Sequence, residues 1–161
     1  MEYTIREMRN DELPLLEDFL YEAIFIPDWY TEEVPRSIIY DDPMVYSAIK
    51  DFGTRPDDYC LVAEVNGKVI GAVWAAVANE YGHIDEETPS LSISLFKEYR
   101  GQGIGTALMT KILEYLRNKG YKKVSLGVNK KNYAVRMYEK VGFEIIGEGA
   151  NETEWLMIHC F

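Results

Sequence analysis

The dipeptide Asn66-Gly67 separates two strongly apolar runs, Cys60 to Val65 and Lys68 to Ala78. Both residues of such a pair accept a positive φ, which a two-residue turn between right-twisted antiparallel strands requires. A hairpin is expected here, and it commits the centre of the chain to an antiparallel sheet. The apolar part of the second run, Val69 to Ala78, is ten residues long and includes Gly71. That is too short to span a bilayer and reads as a buried strand.

Other elements can be laid around this hairpin. Tyr3 to Met8 predicts a short strand. Asn10 or Asp11 caps a predicted helix to about Ala23, with Leu13, Leu16, Phe19 and Leu20 on one face. Residues 25–42 are aromatic, acidic and interrupted by Pro27 and Pro35, which predicts a loop with room for a short helix. A further helix is expected from Pro43 to Asp51, then a strand from Leu91 to Phe96. Gly103 to Lys119 is amphipathic, with Ile104, Leu108, Ile112 and Leu116 stacked at i+4 and Gly120 as the stop. Lys122 to Val128 predicts a strand, and Asn132 caps a helix to Val141, ahead of Gly142. Phe143 to Gly147 and Thr153 to Cys160 read as a closing antiparallel pair. The order β-α-α-β-β-β-α-β-α-β-β describes a mixed α/β chain with a mainly antiparallel sheet. No repeat, low-complexity tract or Ser/Gly linker divides the 161 residues, so one domain over 1–161 is expected.

Composition narrows the partners. Cys60 and Cys160 lie in apolar runs without C-x-x-C spacing and are expected to be small buried hydrophobes. His83 and His159 are the only histidines, so no metal-ligand cluster is expected. Met1 to Glu7 has neither the basic start nor the apolar stretch of a signal peptide, which makes the cytoplasm the expected location. A net charge of −10 disfavours nucleic acid and anionic membrane as partners. The charge is uneven: residues 1–96 carry a net −14, residues 97–140 a net +8, and residues 141–161 four acids with no Lys or Arg. A basic segment in an acidic chain suits a local anionic ligand, and the acidic remainder suits a cationic one.

An anion-binding pattern falls inside the basic stretch. The predicted strand ending at Leu95 runs through Arg100-Gly101-Gln102-Gly103-Ile104-Gly105-Thr106 into a helix. The unpaired N–H groups of the helix's first turn, with the positive end of its dipole, form an anion site. Glycine at 101, 103 and 105 lets backbone approach a pyrophosphate where a Cβ would obstruct it. Thr106 stands where the dinucleotide fingerprint needs glycine, and no Lys follows Gly105 as a P-loop needs.

Arg100-Gly101-Gln102-Gly103-Ile104-Gly105 resembles the R/Q-x-x-G-x-G/A signature of the GNAT superfamily of acetyl-CoA-dependent N-acetyltransferases. Asn132 to Phe143 resembles its second signature, N-x-A-x-x-x-Y-E-K-x-G-F, and Tyr81 to Gly105 is similar to an uncharacterised prokaryotic branch. The resemblance implies the GNAT acyl-CoA N-acyltransferase fold, a mostly antiparallel six- to seven-stranded sheet with about four helices and a splay between the fourth and fifth strands. It implies acetyl-CoA as cosubstrate, no metal, and an amine acceptor. The backbone of Leu95 is then expected to pair with the pantetheine arm. Arg100, Gly101, Gln102, Gly103, Ile104, Gly105 and Thr106 hold the pyrophosphate, chiefly through the amides from Gln102 to Thr106. Asn132 bonds the cofactor arm as well as capping its helix, and Tyr138 protonates the departing thiolate. Dimers are common in the family; no interface signal is visible here.

The proton acceptor is harder to place. Transfer needs a neutral amine, and a carboxylate or His takes its proton. Relatives carry a Glu at the start of the fourth strand or on the fifth; here those regions hold Ser90 and Gly127. The nearest candidates are Glu80, His83, Asp85, Glu86 and Glu87. Glu80 is favoured because it ends an apolar strand, where burial raises a carboxyl pKa. Water held by Ser92 or Ser94 is an equally admissible route. The expected acceptor face offers Asp28, Trp29, Tyr30, Glu32, Glu33, Tyr40, Glu148, Asn151 and Glu152, a set suited to a cation. A direct N-acetyltransferase acting on a cationic primary amine of a small molecule or peptide is the resulting expectation, and a catalytically silent acyl-CoA-binding module the alternative.

Overall fold

Asn66 and Gly67 carry φ of 49° and 78°. They close β2 (Tyr59–Val65) against β3 (Lys68–Ala76) with Val65 opposite Lys68, the two-residue hairpin expected from the sequence. The computed structural model describes residues 1–161. On one side of the hairpin β1 (Thr4–Glu7) pairs with β2; on the other, β4 (Ser90–Leu95) pairs with β3, both antiparallel. Beyond β4 come β5 (Lys123–Asn129), β7 (Glu154–Cys160) and β6 (Glu144–Glu148), in the order β1-β2-β3-β4-β5-β7-β6. All pairs are antiparallel except β4 with β5, which run parallel and meet only at Ser90 and Ser125.

Helices cover both faces. Strand alternation sends Leu91 and Leu95 of β4 and Val124, Leu126 and Val128 of β5 to one face. There they pack against Ile104, Leu108, Met109, Ile112 and Leu116 of α4 (Ile104–Asn118), with Tyr138 of α5 (Ala134–Lys140). The opposite face carries Val62, Ala72 and Trp74 against Leu16, Phe19 and Leu20 of α1 (Leu15–Ala23) and Ile39 of α2 (Ile38–Asp41). The fifth helix, α3 (Pro43–Tyr46), is a single turn capped by Asp42, whose side chain accepts the Met44 N–H at 2.9 Å.

Several elements differ from expectation for local reasons. The first helix begins at Leu15, because Pro14 has no N–H to continue a ladder. Ahead of it, Asn10–Glu12 forms a tight turn closed by the Glu12 carboxylate on the Arg9 N–H, 2.8 Å apart. The helix expected over Pro43–Asp51 stops at Tyr46. Its next turn is taken by the core: the Trp74 indole donates to the Ala48 carbonyl at 3.0 Å, and Asp51 adopts a φ of 57°. Cys60 is buried as expected, but Cys160 is exposed. Pairing of β6 with β7 ends at Glu144 and Ile158, so no strand pairs with the last residues of β7 on that side.

Gly71 of β3 is fixed by the strand beside it. A Cβ there would lie 2.2 Å from Leu95 Cδ2 and 3.0 Å from the Ser94 carbonyl oxygen. Gly71→Ala is expected to cost about 1–3 kcal/mol by overpacking, read as a lower urea midpoint at unchanged slope.

Candidate functional site

The strand β4 ends at Leu95 and leads through Lys97–Tyr99, one 3-10 turn, into the glycine-rich segment. Gly101 and Gly103 adopt φ of 73° and 86°, and a Cβ built on either meets nothing within 4 Å. The surface above them is open, so backbone and ligand can approach closely. The ladder of α4 starts with the Ala107 N–H on the Gly103 carbonyl at 3.1 Å. The N–H groups of Ile104, Gly105 and Thr106 precede that bond, and no side chain caps them. Donors that face open space at a helix start fit a pyrophosphate.

Arg100 is used differently from the glycines. Its Nε donates to the Leu95 carbonyl at 2.9 Å, and a terminal nitrogen reaches the Glu22 carbonyl at 3.2 Å and the Glu22 carboxylate at 3.0 Å. The side chain straps the loop to α1. Its place in the anion site is therefore through main chain.

The parting of β4 from β5 follows from the ladders. The Phe96 N–H donates to the Ile70 carbonyl at 3.0 Å, which makes Leu95 and Gly71 a pair without mutual bonds. The N–H and C=O of Leu95 consequently turn away from β3, toward β5. On β5, the Ser125 N–H reaches the Pro89 carbonyl at 3.1 Å, and beyond Ser90 and Ser125 no further rung is paired. A slot lined by backbone polar groups opens there, and it leads to the glycine segment.

Asn132 lies in the turn from β5 into α5, and Tyr138 is on α5 itself, packed into the core on the α4 face. The Asn132 side-chain Oδ1 accepts the Ala134 N–H at 2.9 Å, so it closes the turn into α5, although the cap position itself falls one residue later, at Tyr133. Tyr138 is buried with its ring edge-on to Phe143, centroids 6.0 Å apart. Burial alone pushes its phenol up to about 12, with no hydrogen-bonded neighbour contributing. The group remains an O–H donor throughout the neutral range.

Glu80 lies on the other face, in the turn from β3 to β4. One carboxylate oxygen accepts the Gly82 N–H at 3.0 Å. Ser90, whose hydroxyl donates to the Ala76 carbonyl at 3.1 Å, stands beside it. Burial raises the carboxyl to about 7 against the lesser, opposing effects of Ser90 and the Gly82 N–H. The residue lies deep in the protein yet keeps partial solvent access, the combination a proton acceptor requires. Of the other candidates, Asp85, Glu86 and Glu87 are exposed, and His83 Nε2 faces Glu86 at 3.6 Å. The Ser94 hydroxyl is committed to the Phe19 carbonyl at 2.6 Å, which leaves Ser92 as the half-exposed serine of that face.

Of the nine residues expected to meet an acceptor, three are engaged elsewhere and six lie on the surface. Tyr40 donates to Glu17 at 2.6 Å, Glu148 pairs with Lys130 at 2.6 Å, and Asn151 closes its own loop on Thr153 at 2.9 Å. Asp28, Trp29, Tyr30, Glu32, Glu33 and Glu152 stand on the exposed surface. Three residues absent from that reading lie together instead. The Tyr81 hydroxyl bonds to the Asp42 carboxylate and feels the charge of Glu154, and one Glu154 oxygen is buried without a partner. Asp42 was not singled out from the sequence, although an Asp just before Pro43 has the residue type of a helix cap, and Tyr81 and Glu154 carry no local signal. No group of three His, Cys, Asp or Glu side chains stands in a metal-holding arrangement.

Residues 20–143 match the model of the acetyltransferase (GNAT) family. The chain belongs to the GNAT acetyltransferase family. It is 38% identical over 145 residues to an uncharacterised N-acetyltransferase of Methanocaldococcus jannaschii, covering 88% of this chain and 61% of that one. It is 37% identical over 90 residues to a probable N-acetyltransferase, camello, of Xenopus laevis, covering 55% of this chain and 40% of that one. The chain thus spans about three fifths of the first relative's length and two fifths of the second's. The fold matches that of the PaiA N-acetyltransferase of Thermoplasma acidophilum, solved with coenzyme A, at a TM-score of 0.71 and 21% identity over all of both chains. The parted strands and the glycine-rich helix start are therefore parts of a GNAT fold. In this GNAT chain the helices number five, two of them single turns, around the seven-stranded sheet.

The raised Glu80 carboxyl has a thermodynamic signature independent of activity. Its folded pKa of about 7 lies above the ordinary 4.5, so the folded state holds the proton more tightly. Its stabilising contribution is complete below the ordinary value and is lost as pH rises through the folded one. Glu80→Gln should therefore gain stability relative to wild type, by roughly 2 kcal/mol, between about pH 5 and about pH 7.5. Urea unfolding at both pH values measures this difference.

Proposed function

We propose that the 161 residues act as one N-acetyltransferase domain that moves an acetyl group from acetyl-CoA directly to a primary amine. The observation that carries this reading is the placement of Glu80, with its raised carboxyl, beside the slot that leads to the glycine cradle. The amides from Gln102 to Thr106 take the pyrophosphate. The backbone of Leu95, whose N–H faces the slot, pairs with the pantetheine arm, and Asn132 bonds the same arm. No covalent enzyme intermediate is involved: Cys60 is buried under α1 and Cys160 ends β7, away from the glycine segment in the chain.

Glu80 takes a proton from the acceptor ammonium, and the freed nitrogen lone pair attacks the thioester carbonyl. The C–N bond forms, the C–S bond breaks with its electron pair leaving on sulfur, and the Tyr138 hydroxyl donates to that sulfur. A phenol raised to about 12 stays protonated until charge develops on the thiolate, so it stabilises the departing group by hydrogen bonding before the proton moves. As the C–S bond breaks, the nitrogen gives up its second proton, which through solvent restores the phenol whose own proton has gone to the sulfur, and the proton held by Glu80 is released to solvent.

A cationic acceptor, a small molecule or a peptide, suits this face. Support comes from the net charge of −14 over residues 1–96 and from Glu154, Asp42 and Tyr81 lying together on the Glu80 side of the sheet.

Calorimetric titration with acetyl-CoA, followed by a thiol-release assay over cationic, neutral and acidic amines, tests the reading. Binding with turnover on cationic amines is expected; binding without turnover anywhere would favour a silent acyl-CoA-binding module. Gly103→Asp should weaken CoA binding at least about tenfold relative to Gly103→Asn, which keeps the shape and lacks the charge. Glu80→Gln should lower kcat/KM by about a hundredfold or more. Tyr138→Phe should lower kcat while CoA affinity holds, and an unchanged kcat would reduce Tyr138 to packing.

A further inference from the structure

Strand alternation on β5 sends Val124, Leu126 and Val128 into the α4 core and leaves Ser125 and Gly127 on the opposite face. The turn from β3 to β4 lies against those two residues. Ser125 is fully buried and grips the turn at both ends: its hydroxyl donates to the Gly82 carbonyl at 2.6 Å and its N–H to the Pro89 carbonyl at 3.1 Å. The Gly82 and Gly127 backbones touch. A Cβ on Gly127 would lie 3.0 Å from the Tyr81 carbonyl carbon and oxygen, and one on Gly82 would lie 2.7 Å from the Gly127 nitrogen. Neither glycine can carry a side chain without moving the other strand of this contact. Gly82 is also the residue whose N–H holds the Glu80 carboxylate.

We propose that Ser125 and Gly127 are positioning residues that dock the β3–β4 turn onto β5 and so present the Glu80 carboxylate at the slot, a role that rests on reading Glu80 as the proton acceptor. The carboxylate reaches the slot from a turn laid across β5, and Gly127 is bare because that turn's backbone occupies the space its side chain would fill. The titratable groups carried by the turn and the elements packed around it are His83 and Glu86, Asp85 paired with Lys123, Asp42 bonded to Tyr81, and Glu154 on β7. None of them contributes to the displacement of its pKa, which burial leads. Undocking the turn therefore admits water and lets the carboxyl return toward its ordinary range.

Carbon-13 NMR of the glutamate carboxyls, with Glu80→Gln identifying the resonance, reads this without any acceptor. The wild-type midpoint is expected at about 7. In Ser125→Ala and Gly127→Ala it should fall by about one unit or more, while Ser125→Thr, which keeps the hydroxyl, stays near wild type. Melting temperature and CoA titration establish that each variant is folded, and Gly82→Ala replaces either that is not. An unmoved midpoint in the folded variants would overturn the positioning role whatever Glu80 does in turnover. A midpoint that falls as expected while Glu80→Gln transfers acetyl at the wild-type rate would uphold the docking and overturn the reading of Glu80 as the proton acceptor.

Discussion

Two parallel strands in the middle of the sheet share a single rung, Ser90 with Ser125, and then separate. Backbone groups that would otherwise pair across the ladder are left facing a slot, and buried polar backbone demands a partner. Everything near the slot is arranged around that demand. The turn from β3 to β4 covers it on one face and brings Glu80. The core of α4 and α5 closes the other face with Leu108, Met109 and Tyr138. The chain direction of β4 then delivers the helix start of α4 to the slot's far end. A sheet zipped along the whole of β4 and β5 would have the same core and no place for an extended ligand.

Legibility of the fold depended on how local its causes were. Asn66-Gly67 encodes its hairpin in the φ of two residues, and the apolar spacing of α4 encodes its buried face, so both were readable. The first helix and the helix at Pro43 are shorter than their sequence patterns predict. There the deciding bonds came from elsewhere: Glu12 closing on Arg9, and Trp74 taking the Ala48 carbonyl from a strand 26 positions away. Cys160 read as buried because its run is apolar, but its exposure depends on where the neighbouring strand β6 stops.

The candidate site divides in the same way. The glycine segment was legible because its backbone conformation is written in residue type. Glu80 was legible as a carboxylate at the end of an apolar strand, though its docking on β5 was not. Ser125 and Gly127 looked like an ordinary strand, and Gly82 like an ordinary turn. Their contact exists only once residues about 45 apart are brought together. Tyr81, Asp42 and Glu154 likewise meet only in three dimensions, whereas the acids that stood out in the sequence are engaged locally or lie on the surface.

The charge asymmetry of the chain acquires a spatial meaning from the parted strands. Residues 1–96, net −14, end just past β4, and residues 97–140, net +8, begin with the turn into α4 and include β5. The parted strands therefore come from oppositely charged stretches of the chain, while α4, from the basic stretch, folds back over β2 and β3, so the two charge classes are brought together across the sheet as well as along it.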